Sequence, residues 1–271
     1  MKDLNIYNLR MVAAMQDKLF FVNKIDLKEY DLIVDFGCAT GELLRSLMPF
    51  VCQPGGKHVQ MVGFDTNEDM ISIARHNVLG EFENIEVDLC TNFDSLLWHL
   101  DDPHKKSLII FSSVLHEIPD HEQRKIMNTI MPKFTTVVIR DMKRPSNNEP
   151  ISNITRKRVL AQVAPWQVQM FESRWGKIRD KENLYRFFLM NEFVENFETE
   201  VEEDYFSVLW TDIHWRLEKD YDLAYECSFL LPYRKQQVKK RFSHVMHDIT
   251  HRKVIYTRKA KQYEEKTSLS N

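Results

Sequence analysis

Asp35, Gly37 and Gly41 lie in the run DLIVDFGCATGELLRSLM (residues 31–48), where their types and spacing point to a ligand cradle built from backbone. The glycines permit a sharp bend and leave room for a ligand against the turn's amide groups. Cys38, Ala39 and Thr40 between them are small enough to share that turn. Asp65, twenty-four residues after Gly41, offers a carboxylate that can accept hydrogen bonds from two neighbouring hydroxyls. Thr66 and Asn67 follow it, and Met70 is suited to packing on a flat ring. Further on, SSVLHEIP (residues 112–119) supplies Ser112, Ser113, His116 and Glu117, and DMKRP (141–145) supplies Asp141 and Lys143. Neutral imidazole takes up a proton near pH 7, so His116 is the candidate base, with Glu117 either holding it in one tautomer or facing solvent.

These residues need a scaffold that brings strand ends together. Leu32, Ile33 and Val34 read as a short buried strand ending at Asp35, and Glu42 opens a helix. Gln60 to Phe64 is a second strand ending in Asp65, and Asn84 to Leu89 a third with Asp88 near its end. Ser107 to Phe111 and Thr135 to Ile139 make a fourth and a fifth. Strands alternating with helical patterns predict a parallel sheet covered on both faces.

The D-x-G-x-x-x-G arrangement, followed by these units in order, resembles the class I S-adenosylmethionine-dependent methyltransferases. Ala39 stands where a dinucleotide fingerprint needs its second glycine, which disfavours a NAD-dependent oxidoreductase. The resemblance covers Asp31 to about Asp141, with less specificity in the last two strands. It implies an α/β fold, a seven-stranded Rossmann-like sheet with helices on both faces, to which this chain adds a helical insertion between strands five and six. It also implies S-adenosylmethionine as cofactor and S-adenosylhomocysteine as product. The expected cofactor contacts are Asp35, Gly37, Cys38, Ala39 and Gly41 in the turn, Asp65 on the ribose, Thr66 at the helix start after it, Met70 near adenine, Asp88 or Leu89 near the adenine edge, and Ser112 at the methionine portion.

In this fold strand six ends at the ligand-binding edge and an antiparallel strand seven starts there. Tyr225–Arg234 reads as strand six and Arg252–Lys259 as strand seven, which puts Tyr233, Arg234 and the HDITH run up to His251 on the rim with Asp141 and Lys143. The helix before the first strand often closes over the cofactor in such enzymes, which draws attention to Tyr7, Arg10 and Lys18.

Residues 143–220 exceed the minimal fold. Helical patterns near Ser152–Val163, Trp166–Trp175, Asn183–Phe197 and Val201–Leu217 read as a cap over a substrate pocket, or as an annex whose aromatics pack on one another. The expected organisation is an N-terminal helical cap (1–30), a cofactor-binding core (31–142), the insertion (143–220), two completing strands (221–261) and a polar tail (262–271).

Hydrophobic content of 43% is ample for a core, and a net charge of −3 carries no overall nucleic-acid signature. Locally the balance differs: residues 191–204 hold seven acids and no Lys or Arg, whereas 234–261 hold ten Lys or Arg and one acid. The basic stretch is either a solvated face or a surface for phosphate. Four cysteines without a C-x-x-C pair read as reduced thiols of a cytoplasmic protein. No apolar run is long enough to cross a bilayer, so no membrane role is expected. HEIPDH has one residue too many for H-E-x-x-H and a helix-breaking Pro119; His244, His247 and His251 share a helical face only if the helix persists, so no metal is assigned. The Asn/Asp-Pro-Pro-aromatic motif of DNA-base methyltransferases is absent. The expected acceptor is a small or medium organic molecule under the cap; RNA or a nucleotide on the basic C-terminal third, or a non-catalytic cofactor-binding role, are the alternatives.

Overall fold

The computed structural model describes residues 14–52, 55–78, 84–100, 105–143, 149–190, 198, 206, 208–229 and 251–260. Its strands are β1 (Leu32–Phe36), β2 (Val59–Phe64), β3 (Ile85–Cys90), β4 (Ser107–Ser112), β5 (Thr136–Met142), β6 (Tyr221–Phe229) and β7 (His251–Arg258). They form one sheet in the order β3-β2-β1-β4-β5-β7-β6, parallel except for β7, which runs antiparallel to both neighbours. This is the seven-stranded Rossmann-like sheet that the sequence predicts.

The central strands are apolar at nearly every position because both faces are covered. Leu32, Val34, Phe36, Ile109, Phe111, Val137 and Ile139 point to one core, and Ile33, Leu108, Ile110 and Val138 to the other. The helices divide accordingly. On the first face lie α3 (Phe93–Trp98), α4 (Asp120–Thr129) and α8 (Trp210–Leu217), through Leu96, Ile126, Met127, Ile213 and Leu217. On the second lie α1 (Glu42–Val51), α2 (Glu68–Val78) and the chain before β1, through Leu43, Leu44, Leu47, Ile71, Phe21 and Leu27. Phe36, Phe64 and Phe111 stand level across β2, β1 and β4, their rings 4.7 and 5.0 Å apart, and brace the carboxyl ends of these strands.

Several boundaries differ from the sequence reading; β5 runs to Met142, three residues past Ile139, and takes in Arg140 and Asp141. β6 starts at Tyr221, four residues before the expected Tyr225, and a register shift separates Leu223 from Tyr225. It is an edge strand with Asp222, Leu223 and Ala224 exposed, although Tyr221, Leu223, Tyr225, Cys227 and Phe229 alternate with Asp222, Ala224, Glu226 and Ser228 in sequence. The last helix of the expected insertion, α8, packs in the sheet core beside α4, where Leu209 N–H donates to Gln123 Oε1 at 3.1 Å and Arg124 pairs with Asp212 at 3.3 Å. The remaining described helices of this segment, α5 (Asn153–Leu160), α6 (Pro165–Trp175) and α7 (Lys181–Met190), share a core of their own: Val159, Phe171, Ile178, Leu184, Phe187 and Met190. Among the described residues no helix is long and apolar enough to cross a membrane.

Candidate active site

The turn after β1 is fixed by backbone. Gly37 and Cys38 N–H both donate to Phe64 O, at 2.7 and 3.0 Å, and Gly41 N–H closes onto Cys38 O at 2.8 Å. Gly37, Ala39 and Gly41 all have positive φ, at 78°, 46° and 77°. A Cβ on Gly37 would lie 2.3 Å from Val114, and one on Gly41 2.8 Å from Val78, so packing as well as backbone conformation demands glycine at both. Ala39 bears a left-handed conformation that costs an L-residue about 1–2 kcal/mol. What it gains is a 2.9 Å hydrogen bond from its N–H to Asp65 Oδ2.

Asp65 sits at the tip of β2 and also accepts Asn67 N–H on Oδ1 at 2.9 Å. A carboxylate has about four acceptor positions, so roughly two remain. Asn67 caps α2 by accepting from Asp69 and Met70 N–H at 3.0 and 3.2 Å, which holds half-buried Met70 in the first turn beside Asp65. Thr66 is exposed. Asp88 stands two residues before the end of β3 and accepts Gln60 Nε2 at 3.1 Å, whereas Leu89 points to the second core. Burial drives the Cys38 thiol far above its ordinary pKa and Cys90 up to about 11, so neither is a nucleophile at neutral pH.

Beyond β4 the chain turns back through Ser113, at φ 62°. That reversal aims the next two amides at Asp141: Val114 and Leu115 N–H reach Oδ2 at 3.1 and 2.8 Å. Oδ1 accepts Met142 N–H and meets His116 Nδ1, both at 2.7 Å. Asp141 is fully buried. Burial alone would push its carboxyl up; the His116 charge, the His116 hydrogen bond and the backbone N–H groups outweigh that and hold it below the ordinary carboxylate value. A carboxylate only accepts, so Nδ1 carries the hydrogen and Nε2 is the basic nitrogen of neutral His116. Of the two roles open to Glu117 in sequence, holding the His116 tautomer or facing solvent, it is the exposed one that the geometry has, with Oε1 3.9 Å from Nε2; Asp141, expected to touch substrate, has its carboxylate occupied by four donors.

The other face of the same edge carries a second polar group. Asp35 at the end of β1, Ser112 at the end of β4 and Arg140 on β5 are all buried, and Ser112 and Arg140 are register partners. Arg140 donates through Nε to Asp17 Oδ2 at 2.7 Å and through Nη1 to Ser113 Oγ, and Lys253 of β7 pairs with the other Asp17 oxygen. Asp17 thus pins the helical residues 14–18 to the sheet, and the next residue, Lys18, is buried with it. Burial and then the Arg140 charge pull Lys18 down to about 8, against the attraction of Asp35, Asp141 and Glu117. Burial pushes Asp35 up to about 7, with Asp65 adding to the rise and Lys18 opposing it. Among the described residues, the buried Ser112 Oγ and Thr40 Oγ1 find no hydrogen-bond partner.

The edge therefore brings together Asp35, Ala39, Asp65, Ser112, His116 and Asp141, and it adds Asp17, Lys18, Arg140 and Lys253. Of these four the sequence reading had singled out only Lys18. Arg140 was findable: it alternates with Asp141 at a strand end, so the two must face opposite sides. Lys143 lies 3.4 Å from Ser228 Oγ, and buried His251, opposite Met142, has its ring 5.9 Å from that of Phe229. Tyr7, Arg10, Tyr233, Arg234, His244, His247 and Asp248 fall outside the described residues, as does most of the acidic and basic runs.

A methyltransferase-domain family profile matches residues 27–196. Among solved structures, an S-adenosylmethionine-dependent methyltransferase from Mesorhizobium loti is 14% identical, covers 91% of this chain and 98% of its own, and superposes with a TM-score of 0.52. Another, from Archaeoglobus fulgidus, is 13% identical over 90% of this chain and 93% of its own, with a TM-score of 0.50. At such identities the likeness is one of fold. No curated protein matches the chain. The profile spans well over half the sequence and takes in the glycine turn and the ends of β1, β2, β4 and β5, so the chain belongs to the methyltransferase-domain family of class I S-adenosylmethionine-dependent enzymes.

Proposed function

We propose that this methyltransferase acts on a small or medium organic acceptor bearing a hydroxyl or other protic group, with His116 as the base. The residues present fit the methyl donor. Asp65 retains acceptor capacity where the ribose hydroxyls would come, Met70 is held beside it for the adenine, and Asp35 with the unpartnered Ser112 Oγ offers polar groups for the amino-acid end. Gly37, Cys38, Ala39 and Gly41 line that cradle with backbone; Thr66, Leu89 and Asp88 are its outer contacts, Asp88 already shared with Gln60. Bound S-adenosylmethionine supplies a methyl group on a sulfonium, which is already a good leaving group, so the protein's task is alignment and, for a protic acceptor, removal of a proton.

The observation that carries the reading is the 2.7 Å contact between His116 Nδ1 and the fully buried Asp141. It orients the ring, fixes the basic nitrogen as Nε2, and stabilises the imidazolium formed when the acceptor's proton arrives. His116 is 7% exposed, which suits a slender acceptor group better than a broad polymer surface. Lys143 and His251 flank the same edge as acceptor contacts, and Glu117 Oε1 lies 3.9 Å from Nε2. The helices α5–α7 enter the chain after β5, at the carboxyl edge where open sheets bind ligands, which supports their role as a cap.

Incubation with S-adenosylmethionine and separate pools of hydroxylated small molecules and RNA oligonucleotides tests this. Formation of S-adenosylhomocysteine with the small molecules is expected; formation with RNA alone would reject the acceptor class.

A further inference from the structure

The turn that carries His116 is a single turn of helix, Leu115–Glu117, closed by Glu117 N–H on Val114 O at 3.0 Å and Ile118 N–H on Leu115 O at 3.1 Å. So short a piece does not hold its own position; its surroundings must. The carbonyl of His116 itself accepts Phe206 N–H at 2.7 Å. Two residues on, Ile118 O accepts from Gln123 Nε2 at 2.8 Å, and the other end of the same amide, Oε1, accepts Leu209 N–H at 3.1 Å. These partners fix which way the amide points, since a carbonyl only accepts and a backbone N–H only donates. Gln123 is 1% exposed, so neither bond is shared with bulk water. Trp210 reaches the other half of the pair: its indole N–H donates to Met142 O at 2.6 Å, and Met142 N–H in turn donates to Asp141. Val208 and Trp210 are buried in the same apolar cluster as Leu115.

Phe206 and Val208–Trp210 follow the cap helices α5–α7 in the chain and lead into α8. They therefore grip both loops that make the base, the turn of His116 and the end of β5 with Asp141. We infer that Gln123 is a positioning residue for His116, clamping its turn to this returning segment and so setting where Nε2 meets the acceptor; the inference rests on His116 as the base. Both polar atoms of the amide serve backbone groups, so Gln123 acts through His116. Transfer of a methyl group depends on alignment, and a misplacement of about 1 Å costs roughly 10²-fold in rate.

A kinetic cycle with His116 tests this. Gln123→Met keeps the length of the side chain and removes both bonds. With an acceptor from the hydroxylated pool, kcat should fall about 10- to 100-fold, while affinity for S-adenosylhomocysteine stays unchanged. In a His116→Ala background the same substitution should cost less than about threefold, because the group it positions is gone. A loss of the same size in both backgrounds would make Gln123 a support of the fold and overturn the inference. Gln123→Glu adds a rescue. A protonated glutamic acid donates to Ile118 O and accepts from Leu209 N–H as the amide does, whereas its carboxylate cannot donate. The rate relative to wild type should be highest at low pH, and a ratio equally low at every pH would contradict the inference. This variant also decides the matter should Gln123→Met fail to fold. NMR needs no turnover: the His116 Nδ1 proton, identified by its loss in His116→Ala, should shift in Gln123→Met, and an unmoved signal in a folded variant would reject the clamp. Normal loss in His116→Ala beside wild-type kinetics in Gln123→Met sinks the inference alone; wild-type turnover in His116→Ala sinks the base reading with it.

Discussion

Asp35 and Asp141 are the same residue type, both buried at the carboxyl edge of one sheet, yet burial leaves them in opposite states. Asp35, at the end of β1, is pushed up to about 7 by desolvation, with Lys18 opposing the rise and Asp65 adding to it. Asp141, at the end of β5, is held below the ordinary carboxylate value because three backbone N–H groups and His116 converge on it. The difference is one of hydrogen-bond donors, not of depth. A buried carboxylate with a full set of donors is a fixed charge, suited to orienting a base. One balanced by a lysine can change partners, suited to receiving a ligand's ammonium.

Breaking the fixed side should have the largest effect. His116→Ala should lower turnover about 10²–10⁴-fold at pH 7 with little change in cofactor affinity, and higher pH should partly restore the rate. Loss confined to the acceptor's KM, without recovery at high pH, would make His116 an orienting group. Asp141→Asn should lower kcat about 10- to 100-fold, because the charge that favours imidazolium is gone and the new NH2 group faces donors where a carboxylate oxygen accepted them. A changed pH–rate profile separates this from simple loss of fold.

The adjustable side should appear in stability. The native pKa of Asp35 is raised, so between about pH 4 and 7 the folded state binds more protons than the unfolded one. Its contribution is intact below the ordinary carboxylate pKa and lost as pH rises through about 7, so the melting temperature of the ligand-free protein should fall over that window. Asp35→Asn should remove that downward slope. Asp141 works with the opposite sign: its contribution is present above the ordinary carboxylate range and lost as pH falls below about 4, so it is constant across the window in which Asp35 titrates. A downward slope retained in Asp35→Asn would contradict the contrast.

The two sides also differed in how far they could be read from sequence. The glycine turn and Asp65 are local signals, because a strand, a bend and a strand-end acid leave a mark within a few residues. The partnerships of the base are not local. His116 meets Asp141 across 25 residues and Arg140 meets Asp17 across 123, contacts that only the strand order creates. Alternation along β5 sends Arg140 and Asp141 to opposite faces, which explains why neighbours in sequence serve different sites. The start of β6, by contrast, was legible: Tyr221, Leu223, Tyr225, Cys227 and Phe229 alternate with Asp222, Ala224, Glu226 and Ser228, and the strand begins with that alternation.

The account depends most on the ribose-binding role of Asp65 at the tip of β2. Titration of the wild-type protein with S-adenosylmethionine and with NAD, repeated with Asp65→Ala, tests it. The wild type should bind S-adenosylmethionine and not NAD, and the substitution should weaken binding by about 1–3 kcal/mol, the scale of leaving buried hydrogen-bonding groups unpaired. Unchanged affinity in Asp65→Ala, or binding of NAD in place of the methyl donor, would contradict the account.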